Sequence, residues 1–217
     1  MHVTAQSVQT VDRRVRKTKQ ALVRALLALM DKRHFREITI ADIVREADVN
    51  RGTFYRYYRH KEELLEDAID TVIKDLIEAF REPYKNCDTF TPRDITASSI
   101  KIFDHVAQYA NFYTLIAKSH TLPVLYERIY DQLKKLYMHD FTICDSDAKI
   151  DKEIYASYQA NAVIGMILDW IRGGFRHSPS YMAEQLQLIL HFEWCKAVYR
   201  TNRNPDHQRR RHPSGRS

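Results

Sequence analysis

The sequence is poor in glycine: five among 217 residues, at Gly52, Gly165, Gly173, Gly174 and Gly215. A many-stranded sheet needs glycine-rich tight turns and a phosphate-cradling loop needs several glycines close together, so both are excluded and an all-α chain remains. The six prolines, at 83, 92, 123, 179, 205 and 213, fall between apolar periodic stretches, where a missing N–H costs least. Cys87, Cys144 and Cys195 are odd in number and far apart, which argues against a disulfide framework or a CxxC metal site and for a reducing cytoplasm. The longest apolar run, Ala162 to Leu168, falls far short of the roughly 20 residues that cross a bilayer. The segment from Met1 to Thr10 is polar and has no apolar signal core, so the expectation is a soluble, cytoplasmic protein with no membrane partner.

Organised chemistry is also missing. None of the ten histidines pairs at HxxxH or HxH spacing, so no metal is expected. No nucleophile elbow, HExxH, Gly-rich loop or paired-carboxylate motif arranges the serines, cysteines and acids, so the chain reads as no enzyme and needs no cofactor.

What is present is a core and an uneven charge. Hydrophobic residues make up 44% of the chain and aromatics 11%, ample for a globular fold. Residues 1–60 carry 13 lysines and arginines against 6 acids, residues 61–202 carry 16 against 21, and residues 203–217 carry 5 against 1. A basic head over an acidic middle points to a polyanion at the N-terminal part and a different task for the middle.

Helical spacing runs from Val15 to Lys32 through Leu22, Ala25, Leu26, Leu29 and Met30, behind a basic lead-in. Thr39-Ile-Ala-Asp pairs a hydroxyl cap with an acid three residues on and opens a two-turn helix. Ala47-Asp-Val-Asn50 reads as a turn and Arg51 to Tyr57 as a short helix capped by Asn50. Lys61 to Phe80 reads as a longer helix with Glu62, Glu63 and Glu66 at its positive end. After a lapse over 81–94, helical spacing returns at Ile95 to Lys118, Leu122 to His139, Ile150 to Arg172 and Tyr181 to Tyr199. The domains are therefore a head of short helices with a basic arm over 1–60, a connecting helix over 61–80, a helical part over 81–201, and a basic, disordered tail over 202–217.

Two short helices joined by a tight turn allow the second to enter a DNA major groove while the first braces it. Ile40, Ile43, Val44, Ala47, Val49 and Phe54 supply the crossing, and Arg51, Thr53, Tyr55 and Tyr57 supply outward polar groups. The stretch from Thr39 to Leu65, TIADIVREADVNRGTFYRYYRHKEELL, resembles the signature of the TetR family of bacterial transcription regulators, over roughly residues 14–70. Asn50 stands where that family commonly has Ser, and Tyr58, whose hydroxyl needs a partner or solvent, where it commonly has Phe. The resemblance implies base reading by Arg51, Gly52 through its backbone, Thr53 and Tyr55, and phosphate contacts from Thr39, Tyr57 and Lys61, behind the Asn50 cap.

Further on, Gly165-Met-Ile-Leu-Asp-Trp-Ile-Arg-Gly-Gly-Phe175 resembles the penultimate helix of a subgroup of TetR-like C-terminal domains. It implies a dimeric four-helix bundle, with Gly165, Leu168, Trp170 and Ile171 as dimerisation residues. The functional expectation is a repressor that binds a palindromic operator as a homodimer, nucleoid-associated when bound. Its control would lie with an effector in the C-terminal domain, either a mostly apolar small molecule or a coactivator protein, at ligand residues the sequence does not single out. The alternative is a helical DNA-organising protein.

Overall fold

The computed structural model describes residues 5–87, 91, 94–119, 121–140 and 149–192, with side chains from residue 13 onward. Among these residues there is no strand. The chain winds into α1 (Ala5–Met30), α2 (Ile40–Glu46), α3 (Arg51–Tyr55), α4 (Lys61–Arg81), α5 (Ile102–Gln108), α6 (Ala110–Ala117), α7 (Leu122–Asp140), α8 (Lys152–Arg172) and α9 (Pro179–Leu190), with short 3-10 turns at Phe35–Glu37 and Ala97–Ser99. Cys144, Cys195, the expected continuation of the last helix to Tyr199 and the tail over 202–217 lie outside the described residues.

The single helix read from Ile95 to Lys118 is instead a 3-10 turn followed by α5 and α6, which meet at a corner on Tyr109. No proline or glycine marks this corner, so apolar spacing runs across it unbroken. Tyr109 is anchored there: its hydroxyl donates to Asp75 Oδ2 at 2.8 Å, and its ring lies 4.7 Å from that of His105. Helix α9 starts earlier than read, at Pro179, since Ser178 caps it by accepting from the Tyr181 N–H at 3.2 Å and a first-turn proline forfeits no helical hydrogen bond.

One hydrophobic core runs from Leu22, Leu26, Ile43 and Phe54 in the head, through Leu64, Ile69 and Leu76 of α4, to Phe103, Ile116, Leu133 and Ile164 in the body. Each such aliphatic side chain contributes roughly 1.5–3 kcal/mol by leaving water. Helix α4 is shared: it packs on α1 toward the head and on α5 and α7 toward the body. Helices α7 and α8 run antiparallel, as Tyr126 meets Asn161, Tyr130 meets Ser157 and Lys134 meets Glu153. Gln187 ties α9 to the loop before α5, accepting from the Ala97 N–H and donating to the Ile95 carbonyl.

Candidate nucleic-acid interface

The head is assembled from local signals. Thr39 caps α2 in a full capping box: its hydroxyl accepts from the Asp42 N–H at 3.2 Å and donates to Asp42 Oδ2 at 2.7 Å, while its own N–H reaches the same carboxylate at 3.0 Å. These bonds from the Thr39 hydroxyl and N–H, with Arg33 beside them, hold the Asp42 carboxyl down at about 2. Between α2 and α3 the chain reverses through Asp48 at φ 51°, a left-handed residue that a short polar side chain tolerates, and the Val49 N–H closes on the Val44 carbonyl at 3.0 Å. Asn50 then caps α3 by accepting from the Gly52 N–H at 2.7 Å. Phe54, fully buried, faces the core, and this turns Arg51, Gly52 and Tyr55 outward.

The arrangement sorts the expected site residues into groups. Arg51, Gly52 and Tyr55 are exposed together on one side of α3, with Thr53 and Tyr57 half-buried beside them. Arg51 donates to the Tyr55 hydroxyl at 3.2 Å, with its guanidinium carbon 5.6 Å from the ring centroid. Thr39 and Asn50 have side chains already occupied by capping. Lys61 is occupied more completely: its ammonium lies 2.8, 3.1 and 2.7 Å from the carbonyls of Phe35, Arg36 and Ile38, using all three of its N–H groups, and 4.6 Å from the centre of the Phe35 ring. In this arrangement it braces the 3-10 turn before α2 and has no proton left for a phosphate. Arg56 and Arg59, which the motif reading passed over, are exposed with no ion pair to any described residue. Their only sequence signal was a basic residue on each side of the paired Tyr57 and Tyr58.

Tyr58 is buried, and its hydroxyl does find a partner, donating to Asp67 Oδ2 of α4 at 2.6 Å. Lys19 of α1 reaches the same carboxylate at 3.2 Å and lies 5.2 Å from the Tyr58 ring centre. Burial, reinforced by Asp67, pushes the Tyr58 hydroxyl far above its ordinary range and keeps it protonated. Further along α4, Arg128 of α7 pairs with Asp70 and Glu66, Arg81 pairs with Asp140 at 3.0 Å, and Asp75 accepts from Tyr109. The connecting helix is thus held by polar contacts from α1, from the segment after α3, from the α5–α6 corner and from α7.

The dimerisation residues divide. Trp170 and Ile171 are buried in the chain's own core, where Trp170 packs edge-on against Phe103 and Phe175 and donates to the His177 carbonyl at 3.0 Å. Helix α8 is apolar nearly all round, and its contacts with α6 and α7 turn these two of the four expected dimerisation residues to the inner face. Gly165 is on the outer face: apart from its chain neighbours and its own helix backbone, no atom of the described residues lies within 4 Å of where a Cβ would stand. It shares that face with Ile154 and Tyr158, exposed at 71% and 62%, and with half-buried Leu168.

Among the described residues no group of histidines, cysteines and acids is placed to hold a metal ion, and no helix is long and apolar enough to cross a membrane. A capped two-turn helix, a left-handed turn and a short exposed helix bearing arginine and tyrosine, set on an all-helical body, define a helix-turn-helix DNA-binding regulator. Residues 18–68 match the family description "Bacterial regulatory proteins, tetR family", and residues 93–192 match a second, "Transcriptional regulator C-terminal region". The chain belongs to the TetR family of transcription regulators. It is 27% identical over 189 residues to the uncharacterized HTH-type transcriptional regulator YxbF of Bacillus subtilis, covering 87% of this chain and 48% of that protein, so it spans about half the length of this relative. It is 23% identical over 192 residues to the nucleoid occlusion factor SlmA of Pasteurella multocida, covering 83% of this chain and 96% of the relative. A TetR-family regulator structure from Syntrophomonas wolfei shares the fold with a TM-score of 0.65 at 16% identity, covering 81% of this chain and 93% of that one.

Proposed function

We propose that the chain acts as a homodimeric, cytoplasmic repressor that binds a near-palindromic operator, with Arg51, Gly52, Thr53 and Tyr55 at base edges and Tyr57, Arg56 and Arg59 along the phosphates, Thr39 having both of its donors on Asp42. The observation that carries the reading is the outward row of Arg51, Gly52 and Tyr55 on a helix whose other side, through Phe54, is sealed into the core. Short reading helices bind weakly alone, so two heads must be paired. The exposed apolar face of α8 around Gly165, with Tyr181, Leu188 and Ile189 of α9 also exposed, is the surface that supports pairing. Footprinting on the promoters beside the gene, together with sedimentation at micromolar concentration, tests this. Gly165→Arg should break the dimer and operator binding together, and a monomeric wild type that still protects an operator would refute the paired head.

An effector would act through α4. The apolar cavity behind Tyr113, Leu125, Ile129 and Ile167 has a volume of about 10 Å³, the space of a single water, whereas a polar cleft of about 520 Å³ opens between α4 and α7 beside Asp70, Ile77, Arg81 and Arg128, within the ~300–1,000 Å³ of ligand pockets. An apolar effector seated behind Tyr113 has to part α7 from α8, whereas a polar effector in the α4–α7 cleft or a coactivator protein needs no such opening. The screen is loss of operator binding by the purified dimer, first with small molecules and then with proteins encoded nearby. A second reading, a DNA-organising role, draws on the relative named a nucleoid occlusion factor. Genome-wide occupancy separates the two: one or a few promoter sites for a regulator, many scattered sites for an organiser.

A further inference from the structure

The base-reading row of α3 has an uneven chemistry. From residue 50 to residue 59 the sequence NRGTFYRYYR contains no carboxylate, so no charged acceptor there meets a cytosine amino group. Asn50 could have read adenine with its amide, but the amide oxygen is spent on the Gly52 N–H at 2.7 Å. Gly52 offers only backbone, and Thr53 is half-buried. Arg51 alone presents a planar fork at the exposed start of the helix.

That fork is already held. One of its five N–H groups donates to the Tyr55 hydroxyl at 3.2 Å, and the group lies near the Tyr55 ring, 5.6 Å from carbon to centroid. Four N–H groups remain for another partner. Tyr55 is itself 48% exposed, so the tether sits on the outer surface and not in the core. A restrained arginine loses less rotamer freedom on docking than a free one. Beside it, a Cβ at Gly52 would stand 3.3 Å from the Asn50 cap oxygen, so the side-chain-free position preserves both the cap and an open approach to Arg51.

Resting on the proposed reading of α3 as the major-groove helix, we infer that Arg51 and Tyr55 form a guanine-selecting unit. Arg51 donates in parallel to guanine O6 and N7, and Tyr55 is the positioning residue that fixes the plane of its guanidinium. Guanine alone offers two adjacent acceptors in that groove; adenine and cytosine turn an amino donor toward the cation and thymine a single oxygen.

The test is selection by the full-length protein from a pool of randomised 30-base-pair duplexes, repeated with Arg51→Ala and Tyr55→Phe. The wild type should enrich paired half-sites, each with one invariant G·C pair. Replacing that guanine by 7-deazaguanine removes N7 and leaves base pairing intact; it should weaken wild-type binding roughly five-fold or more and leave Arg51→Ala binding unchanged. Tyr55→Phe should relax the preference at that one position without changing the melting temperature. An enriched operator with no invariant guanine, or a 7-deazaguanine loss as large in Arg51→Ala as in wild type, overturns the inference and leaves the operator reading standing. A pool that enriches no sequence overturns both.

Discussion

Replacing Lys61 by methionine separates a brace from a phosphate contact. Methionine keeps an unbranched stem over the Phe35 ring and removes all three ammonium donors. Two of the three carbonyls, those of Phe35 and Ile38, are part-buried and one, that of Arg36, is exposed. A net hydrogen bond contributes about 0.5–1.5 kcal/mol, and the exposed carbonyl rehydrates at little cost, so the two inner bonds together are worth about 1–3 kcal/mol. The lost attraction between the cation and Phe35 adds about 0.5–1 kcal/mol. A loss near 2 kcal/mol lowers the melting temperature by roughly 4–8 °C in a chain of this size. DNA affinity should fall as well, because the turn carrying the α2 cap is no longer fixed, but the slope of log affinity against log salt should stay as in wild type. A lost phosphate contact does the reverse, leaving melting unchanged and making the slope shallower by about 0.9. Lys61→Met protein that melts with wild type and shows the shallower slope refutes the brace and returns Lys61 to the phosphate role that the family resemblance implied.

Tyr58→Phe removes one hydrogen bond and leaves Asp67 its contact with Lys19, so the expected cost is about 1 kcal/mol by urea unfolding. Asp67→Ala should cost more, since it leaves the buried Tyr58 hydroxyl without its partner; equal costs would refute the cluster. His105 is buried, with its Nε2 3.2 Å from the Tyr113 hydroxyl, and burial lowers its pKa from 6.5 to about 4. The unfolded chain therefore takes up a proton there between pH 6.5 and 4 while the folded one does not, and stability should fall as pH drops through that window. His105→Gln should flatten this part of the urea-midpoint profile, and an unchanged profile refutes the assignment.

The head was legible because its instructions are local. The Thr39–Asp42 box, the Asn50 cap and the Lys61 helix start each occupy four residues or fewer, and the structure places α2, α3 and α4 within two residues of the reading. Lys61's partners were hidden because they lie 23 to 26 residues away, on a 3-10 turn with no apolar period. The orientation of α8 was hidden for a related reason: with apolar residues on nearly every side, spacing alone could not set Trp170 inward and Gly165 outward. The Tyr109 corner was invisible because its anchor, Asp75, belongs to a different helix.

The contact of Tyr58 with Asp67 and Lys19 has a consequence across related sequences. A phenylalanine at 58 leaves Asp67 with only a half-exposed lysine, and a neutral residue at 67 leaves both Tyr58 and Lys19 unsatisfied. Neither single change is neutral, whereas Phe, an apolar or small residue and a non-basic residue at the three positions together form a self-consistent set. The three sites, on α1, after α3 and on α4, should therefore drift as a linked trio in lineages descended from this chain. A head grafted from a relative with phenylalanine at 58 should be more stable on this body when residue 67 is exchanged with it.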